Sequence, residues 1–250
     1  MENLRFLHNR NINMRPDLRS IHAVINDESN LLHVTLSSLE ESFDRGLAIA
    51  LIPEDSTEAI GFVRFTPLLD EDLKQDLGLN NIPSIWEIGS AAIAPYYRGR
   101  GLYTPLRNDL LATVSQEMKD RRLLILGTTK NIAIIKVLDK AKDLGIEFFR
   151  SVHTDFPMIA PFTCICTPDF GCGFQLAENC PARVTQQQLI QLDEIAESSA
   201  DGTKIPCVMY VSDKSLAERI DYDLMVKFGG VGLNPQRSLV SALKAKGYYD

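Results

Sequence analysis

The order of apolar runs in this chain predicts an α/β fold built on a mixed sheet. Two strand-like runs, "LAIALI" and "AIGFVRF", flank the turn-rich "PEDST" and read as an antiparallel hairpin. From Ile85 onward strand-like and helix-like runs alternate, which is the pattern of crossover connections. A hairpin followed by crossovers requires a sheet that is neither all parallel nor all antiparallel.

The elements follow in order. After a polar start, Leu32, Leu36, Leu39 and Phe43 recur at helical spacing and Gly46 supplies a stop, so one or two helices precede the hairpin. The acidic "LLDEDLKQDLGLNNIPS" predicts a short helix within an excursion before the strand at Ile85. Leu102, Leu106, Leu110 and Val114 form a stripe every four residues, predicting one helix over 102–118 with Pro105 near its start, where a missing N–H costs little. "RRLLILGT" reads as a buried strand, "NIAIIKVLDKAKDLG" as a helix stopped by Gly145, and "IEFFRSVH" as a further strand. Beyond residue 155, "FTCICT" and "IPCVMYV" are strand-like, and "VTQQQLIQLDEIAESS" and "SLAERIDYDLMVKFGG" helix-like. With no repeat or flexible linker, residues 1–168 are expected to form one domain and residues 169–250 a C-terminal α/β extension packed on it.

Composition excludes several classes of function. The 250 residues, 45% apolar, suffice for an ordinary core. A net charge of -7 and no run of Lys or Arg argue against a general nucleic-acid surface. No stretch approaches the roughly 20 apolar residues of a membrane span, and "MENLRFLHNRNINMRPDLRS" lacks the apolar core of a signal peptide. The expected location is the cytoplasm, where five cysteines are most simply reduced thiols.

"YYRGRG", Tyr96 to Gly101, lies between a strand-like and a helix-like run. A strand leading through such a turn into a helix gathers unpaired backbone N–H groups where the helix dipole also favours negative charge, an arrangement that binds phosphate. Gly99 and Gly101 allow close backbone approach, and Arg98 and Arg100 add charge at the rim; a tight turn with solvated arginines is the competing reading. Thr104 stands where a dinucleotide fingerprint needs a third glycine, and the Gly-Lys-Ser/Thr of a P-loop is absent.

The wider segment "EIGSAAIAPYYRGRGLYTPLRNDLL" resembles the signature of the GNAT superfamily of acyl-CoA-dependent N-acyltransferases, in which the fourth strand ends in apolar-x-Pro-x-Tyr-Arg-Gly-x-Gly-apolar. Ile93, Pro95, Tyr97, Arg98, Gly99, Gly101 and Leu102 meet that pattern, while Tyr103 stands where the family usually has Gly or Ala. The resemblance spans roughly residues 47 to 153 and implies a mostly antiparallel sheet flanked by helices. It implies further that acetyl-CoA or another acyl-CoA binds with its pyrophosphate on the turn and its pantetheine between splayed fourth and fifth strands, beside Ile93 and Ala94. By the same resemblance Asn131 contacts the cofactor arm. No metal is expected.

Acyl transfer to an amine needs a base for the amine, a donor for the thioester oxygen and an acid for the departing thiolate. Glu87, six residues before Ile93, matches the location of the catalytic carboxylate in some family members, and a Glu between Trp86 and Ile88 is placed for desolvation. A solvent-facing strand glutamate is the alternative. The family's usual acid is a Tyr where this chain has Ala141, which leaves Tyr96, Tyr97, Tyr103 or a water, and Tyr96 is the candidate chosen.

Cys164, Cys166, Cys172 and Cys180 are spaced C-x-C-x5-C-x7-C, without the paired C-x2-C knuckles of a zinc site. His153 has no evident partner for a nucleophilic cysteine. The expected activity is therefore direct transfer to a small-molecule or protein amine, with no nucleic-acid or membrane partner and a second copy of the chain as a candidate partner. The other reading is a regulatory module that binds acyl-CoA without turnover.

Overall fold

The computed structural model describes residues 3–9, 14–28, 31, 33–138, 146–152, 155–163, 191, 204–230 and 232–247. In chain order the described elements are β1 (Leu4–Leu7), α1 (Arg19–Asp27), α2 (Leu36–Asp44), β2 (Ala48–Pro53), β3 (Gly61–Leu69), α3 (Glu71–Leu77), β4 (Ser84–Ile93), α4 (Tyr103–Ala112) and α5 (Ser115–Lys119). They continue with β5 (Leu123–Asn131), α6 (Ile132–Leu138), β6 (Phe149–Ser151), α7 (Ala160–Thr163), β7 (Lys204–Val211), α8 (Lys214–Phe228) and α9 (Pro235–Ala245). The strands form a mixed, mostly antiparallel sheet in the order β1-β2-β3-β4-β5-β7-β6. The chain divides into two compact units, Met1–Thr66 with Glu87–Lys119, and Pro67–Trp86 with Asp120–Asp250.

In the first unit the expected hairpin is present. β2 pairs antiparallel with β3, Ala48 opposite Arg64 and Leu51 opposite Gly61. The continuous apolar run of β2 leaves every one of its residues buried. β1 pairs with the other edge of β2, Leu4 opposite Pro53 and Leu7 opposite Ala50. The polar start of the chain had carried no strand signal, and these four residues become a strand because β2 offers them a partner. Ile21 and Ile25 of α1 and Leu39 and Phe43 of α2, each pair at i,i+4, pack with Phe62, Ala48 and Ala50. Thr35 caps α2, its Oγ1 accepting from the Ser38 amide at 3.2 Å, and Gly46 leaves the helix end at φ 74°.

The helix expected over 102–118 is two helices. Thr113 Oγ1 donates to the Leu110 carbonyl at 2.7 Å and Ser115 Oγ to the Ala112 carbonyl at 3.1 Å. The amides of Thr113 and Val114 reach back only three residues, to Leu110 and Leu111. Side chains that bond their own backbone compete with the helical ladder, and here they end α4 within the apolar stripe.

In the second unit β7 lies between β5 and β6, antiparallel to both: Leu126 and Phe149 each face Val211, and Ser151 faces Met209. Residues on both sides of 168 thus build one sheet region in this unit. Leu124, Leu126, Met209 and Val211 join Leu216, Ile220 and Leu224 of α8 in its core. α3 forms as expected, between the Asp70 cap and Gly78 at φ 66°. The strand read from "IEFFRSVH" shrinks to Phe149–Ser151. Of "FTCICT", Phe162 and Thr163 end the short helix α7 and residues 164–167 lie outside the described residues; just before that helix, Asp221 Oδ1 accepts from the amides of Met158 and Ile159 at 2.6 and 3.1 Å. The helix expected over "VTQQQLIQLDEIAESS" lies, but for residue 191, outside the described residues. α9 was not expected, although Asn234 as cap, Pro235 at the first position and Leu239, Val240 and Leu243 facing the core are an ordinary helix start and stripe.

Candidate functional site

The site residues of the first unit sit on β4 and on the turn that leaves it. The Ala94 amide donates to the Ile60 carbonyl at 2.8 Å, fixing the strand end, and Pro95–Tyr97 follow as a single 3-10 turn closed by the Tyr97 amide on Ala94 O. Gly99 and Gly101 then take φ 74° and 72°, left-handed conformations that favour glycine. A Cβ on either would meet nothing within 4 Å, so backbone conformation, not crowding, requires glycine there, and the space beside the turn is open. Among the described residues, the backbone amides of residues 99 to 104 find no acceptor. The ten-residue helix α4 begins directly after them, adding its dipole.

Both arginines are held in place. Arg98 Nε donates to the Ile93 carbonyl at 2.9 Å, and its Nη2 pairs with Glu28 Oε1 at 2.6 Å. The Arg100 guanidinium lies 5.0 Å from the Tyr96 ring centroid and 5.2 Å from that of Tyr97, with Nη2 on the Tyr96 carbonyl at 3.1 Å. The two rings meet edge to face at 5.2 Å, and Tyr96 is 76% exposed. Leu102 and Tyr103 are half-buried. Burial pushes the Tyr103 hydroxyl up to about 12, against the pull of the buried Arg107 guanidinium.

Glu87 is half-buried on β4, and loss of solvent pushes its carboxyl up to about 7, with the Arg64 cation pulling the other way. A Cβ built on Gly89 would come 3.8 Å from Glu87 Cδ, so the two positions share a face of the strand. Arg64, on β3 and 9% exposed, was not singled out in the sequence. A lone cation inside the apolar "AIGFVRF" was the available signal. Its Nη1 donates to Ser38 Oγ, Ser38 O and Ser42 Oγ at 2.7, 3.1 and 3.1 Å, and its Nε to Ser90 Oγ at 3.1 Å. Ser90 itself is at φ 46°, where a side chain is strained, beside Gly89.

Asn131 lies in the second unit, at the end of β5. Its Oδ1 accepts from the Ala133 amide at 2.9 Å, so that oxygen caps α6. Ala141, Gly145, His153 and the cysteines at 164, 166, 172 and 180 lie outside the described residues. His8 pairs with Asp109 at 2.7 Å, and His22 sits 2.9 Å from the Val34 carbonyl. Among the described residues no group of three or more His, Cys, Asp or Glu is placed to hold a metal, and no helix is long and apolar enough to cross a membrane.

The fold and turn define a mixed α/β sheet protein whose fourth strand passes through a left-handed glycine turn into a helix. Solved structures similar to it include a diaminobutyrate acetyltransferase from Paenibacillus lautus in complex with L-2,4-diaminobutyric acid and coenzyme A. That match has 13% identity, covers 84% of this chain and 95% of that one, and has a TM-score of 0.44. A mosquito arylalkylamine N-acetyltransferase like 5b is similar at 12% identity over 84% of this chain and 99% of that one, with a TM-score of 0.45. Likeness at this level carries no functional assignment. No protein-family model matches the chain, and no curated protein does.

Proposed function

We propose that the chain is a GNAT-type N-acyltransferase that moves an acetyl or other acyl group from acyl-CoA to a primary amine by direct transfer. The observation that carries this reading is the turn between β4 and α4: left-handed glycines at 99 and 101, amides of 99 to 104 with no acceptor among the described residues, and open space beside them. That cradle fits a pyrophosphate, with amides of Gly99, Gly101, Leu102 and Tyr103 as donors and Arg100 fixed at the rim. Arg98 joins it only by leaving Glu28.

Acyl-CoA supplies a thioester whose carbonyl carbon takes up the amine. The chain's part is proton handling and positioning. Glu87, with a carboxyl near neutrality, accepts a proton from the incoming ammonium directly or through one water, freeing the amine lone pair. The Ala94 amide is spent on Ile60, and successive amides of an extended strand point to opposite edges. Ile93 is therefore the better placed of the two to donate to the developing oxyanion. Tyr96, exposed beside the turn, is the proton donor for the departing thiolate; Tyr103, with its hydroxyl near 12, is the poorer acid. The acceptor is a small-molecule or protein amine, and the acidic balance of the chain favours a cationic one.

Thermal unfolding with millimolar coenzyme A and acetyl-CoA tests the binding, since a ligand of the native state raises stability by mass action. An upward shift is expected, and no shift with either ligand would overturn the reading. An amine panel with free-thiol detection then separates the enzyme from the binding module: stabilisation without thiol release for any amine would favour the module.

A further inference from the structure

The two arginines of the glycine turn keep different company. Arg100 rests on neutral groups, the Tyr96 carbonyl and the rings of Tyr96 and Tyr97. Arg98 is held by a charge: its Nη2 meets Glu28 Oε1 at 2.6 Å, joining the turn to the residue that follows α1, 70 positions earlier. Its second bond shows what the guanidinium covers. Arg98 Nε donates to the Ile93 carbonyl at 2.9 Å. The Ala94 amide is turned to Ile60, so Ile93, one residue earlier on an extended strand, presents its N–H and C=O at the opposite edge. The guanidinium therefore lies at the edge of β4 to which the reacting carbonyl is assigned.

We propose that the Glu28–Arg98 pair is a latch on the anion site: Glu28 holds, from within the chain, the cation that a pyrophosphate-bearing ligand needs, and such a ligand binds by displacing Glu28 from Arg98. The proposal rests on the reading of the turn as an acyl-CoA site. A planar guanidinium bonded at two of its nitrogens stays where those bonds put it. A phosphate arriving at the turn and the Glu28 carboxylate are like charges that compete for one partner, so they repel each other if both stay on it. Both side chains of the pair are partly exposed, and an ion pair in such a setting is weak enough for a ligand to open. Glu28 thus opposes cofactor binding through Arg98 and needs no contact with the cofactor.

The experiment measures the Kd of coenzyme A by isothermal titration calorimetry in the full chain and in Glu28→Gln, Arg98→Gln and the double variant. Glu28→Gln should bind about two- to fivefold tighter than the parent, the range that an exposed ion pair supports. In the Arg98→Gln background the same glutamine should have little effect, because the cation it frees is gone. Unchanged or weaker binding in Glu28→Gln overturns the latch. Equal tightening with and without Arg98 overturns it as well, since the carboxylate then acts only as a general negative charge. If Arg98→Gln does not fold, Glu28→Asp decides: it keeps the charge and falls one methylene short of Arg98, so tighter binding supports the latch and unchanged binding overturns it. Coenzyme A binding that is indifferent to residue 28 leaves the acyl-CoA reading standing and removes the latch alone. No binding by any of these chains overturns that reading and the latch with it.

Discussion

Glu87→Gln should make the protein more stable above neutral pH while abolishing its chemistry. The carboxyl stands at about 7 in the folded chain against an ordinary 4.5. Between those values the native state binds a proton that the unfolded state has released, so stability falls as pH rises through this window. Glu87's contribution is fully present below 4.5 and lost by the time pH passes 7. Each pH unit is worth about 1.4 kcal/mol, which makes the loss across the window about 3 kcal/mol at most. Glutamine keeps the shape and removes the charge. Its advantage over the parent should be near zero at pH 4.5, small at pH 5, and should approach that figure by pH 8. Urea unfolding at several pH values, followed through Trp86 fluorescence and checked by far-UV circular dichroism, reads it directly. A difference between Glu87→Gln and the parent that is flat from pH 4.5 to 8 would refute both the elevated carboxyl and the base assigned to it.

Gly101→Ala should cost about 1–2 kcal/mol in stability from the left-handed backbone alone, since nothing crowds the new methyl group. It should also reduce the thermal stabilisation by coenzyme A, and an unchanged response would mean that the turn does not hold the ligand. Tyr103→Phe should leave kcat within a few-fold of the parent while Tyr96→Phe lowers it by at least tenfold; the reverse order in steady-state assays would exchange their roles. Asp221→Ala leaves the Met158 and Ile159 amides without their acceptor and should destabilise the chain by about 1–3 kcal/mol in urea unfolding, where no loss would show that water replaces the carboxylate.

What was legible in the sequence is what short-range periodicity and turn chemistry dictate. β2 and β3 came through because an apolar run, a polar turn and a second run suffice for a hairpin, and α3 because its cap and stop lie within its own few residues. The glycines at 99 and 101 were readable as a turn for the same reason. α4 was read as too long because the bonds of Thr113 and Ser115 to nearby carbonyls are a choice of rotamer, which an apolar stripe does not reveal.

Local sequence thus determined the hairpin, the strand into the glycine turn, and the helix after it, since each is stabilised mostly by neighbours in the chain. Tertiary structure alone decided that Leu4–Leu7 would be a strand, because its hydrogen-bond partners lie more than forty residues away on β2. It likewise decided that β7 would enter between β5 and β6. The same holds for Glu87. Its position was visible, but the burial that lifts its carboxyl and the Arg64 cation that opposes it come from residues brought together by folding, and solvation and charge depend on distance in space, not along the chain.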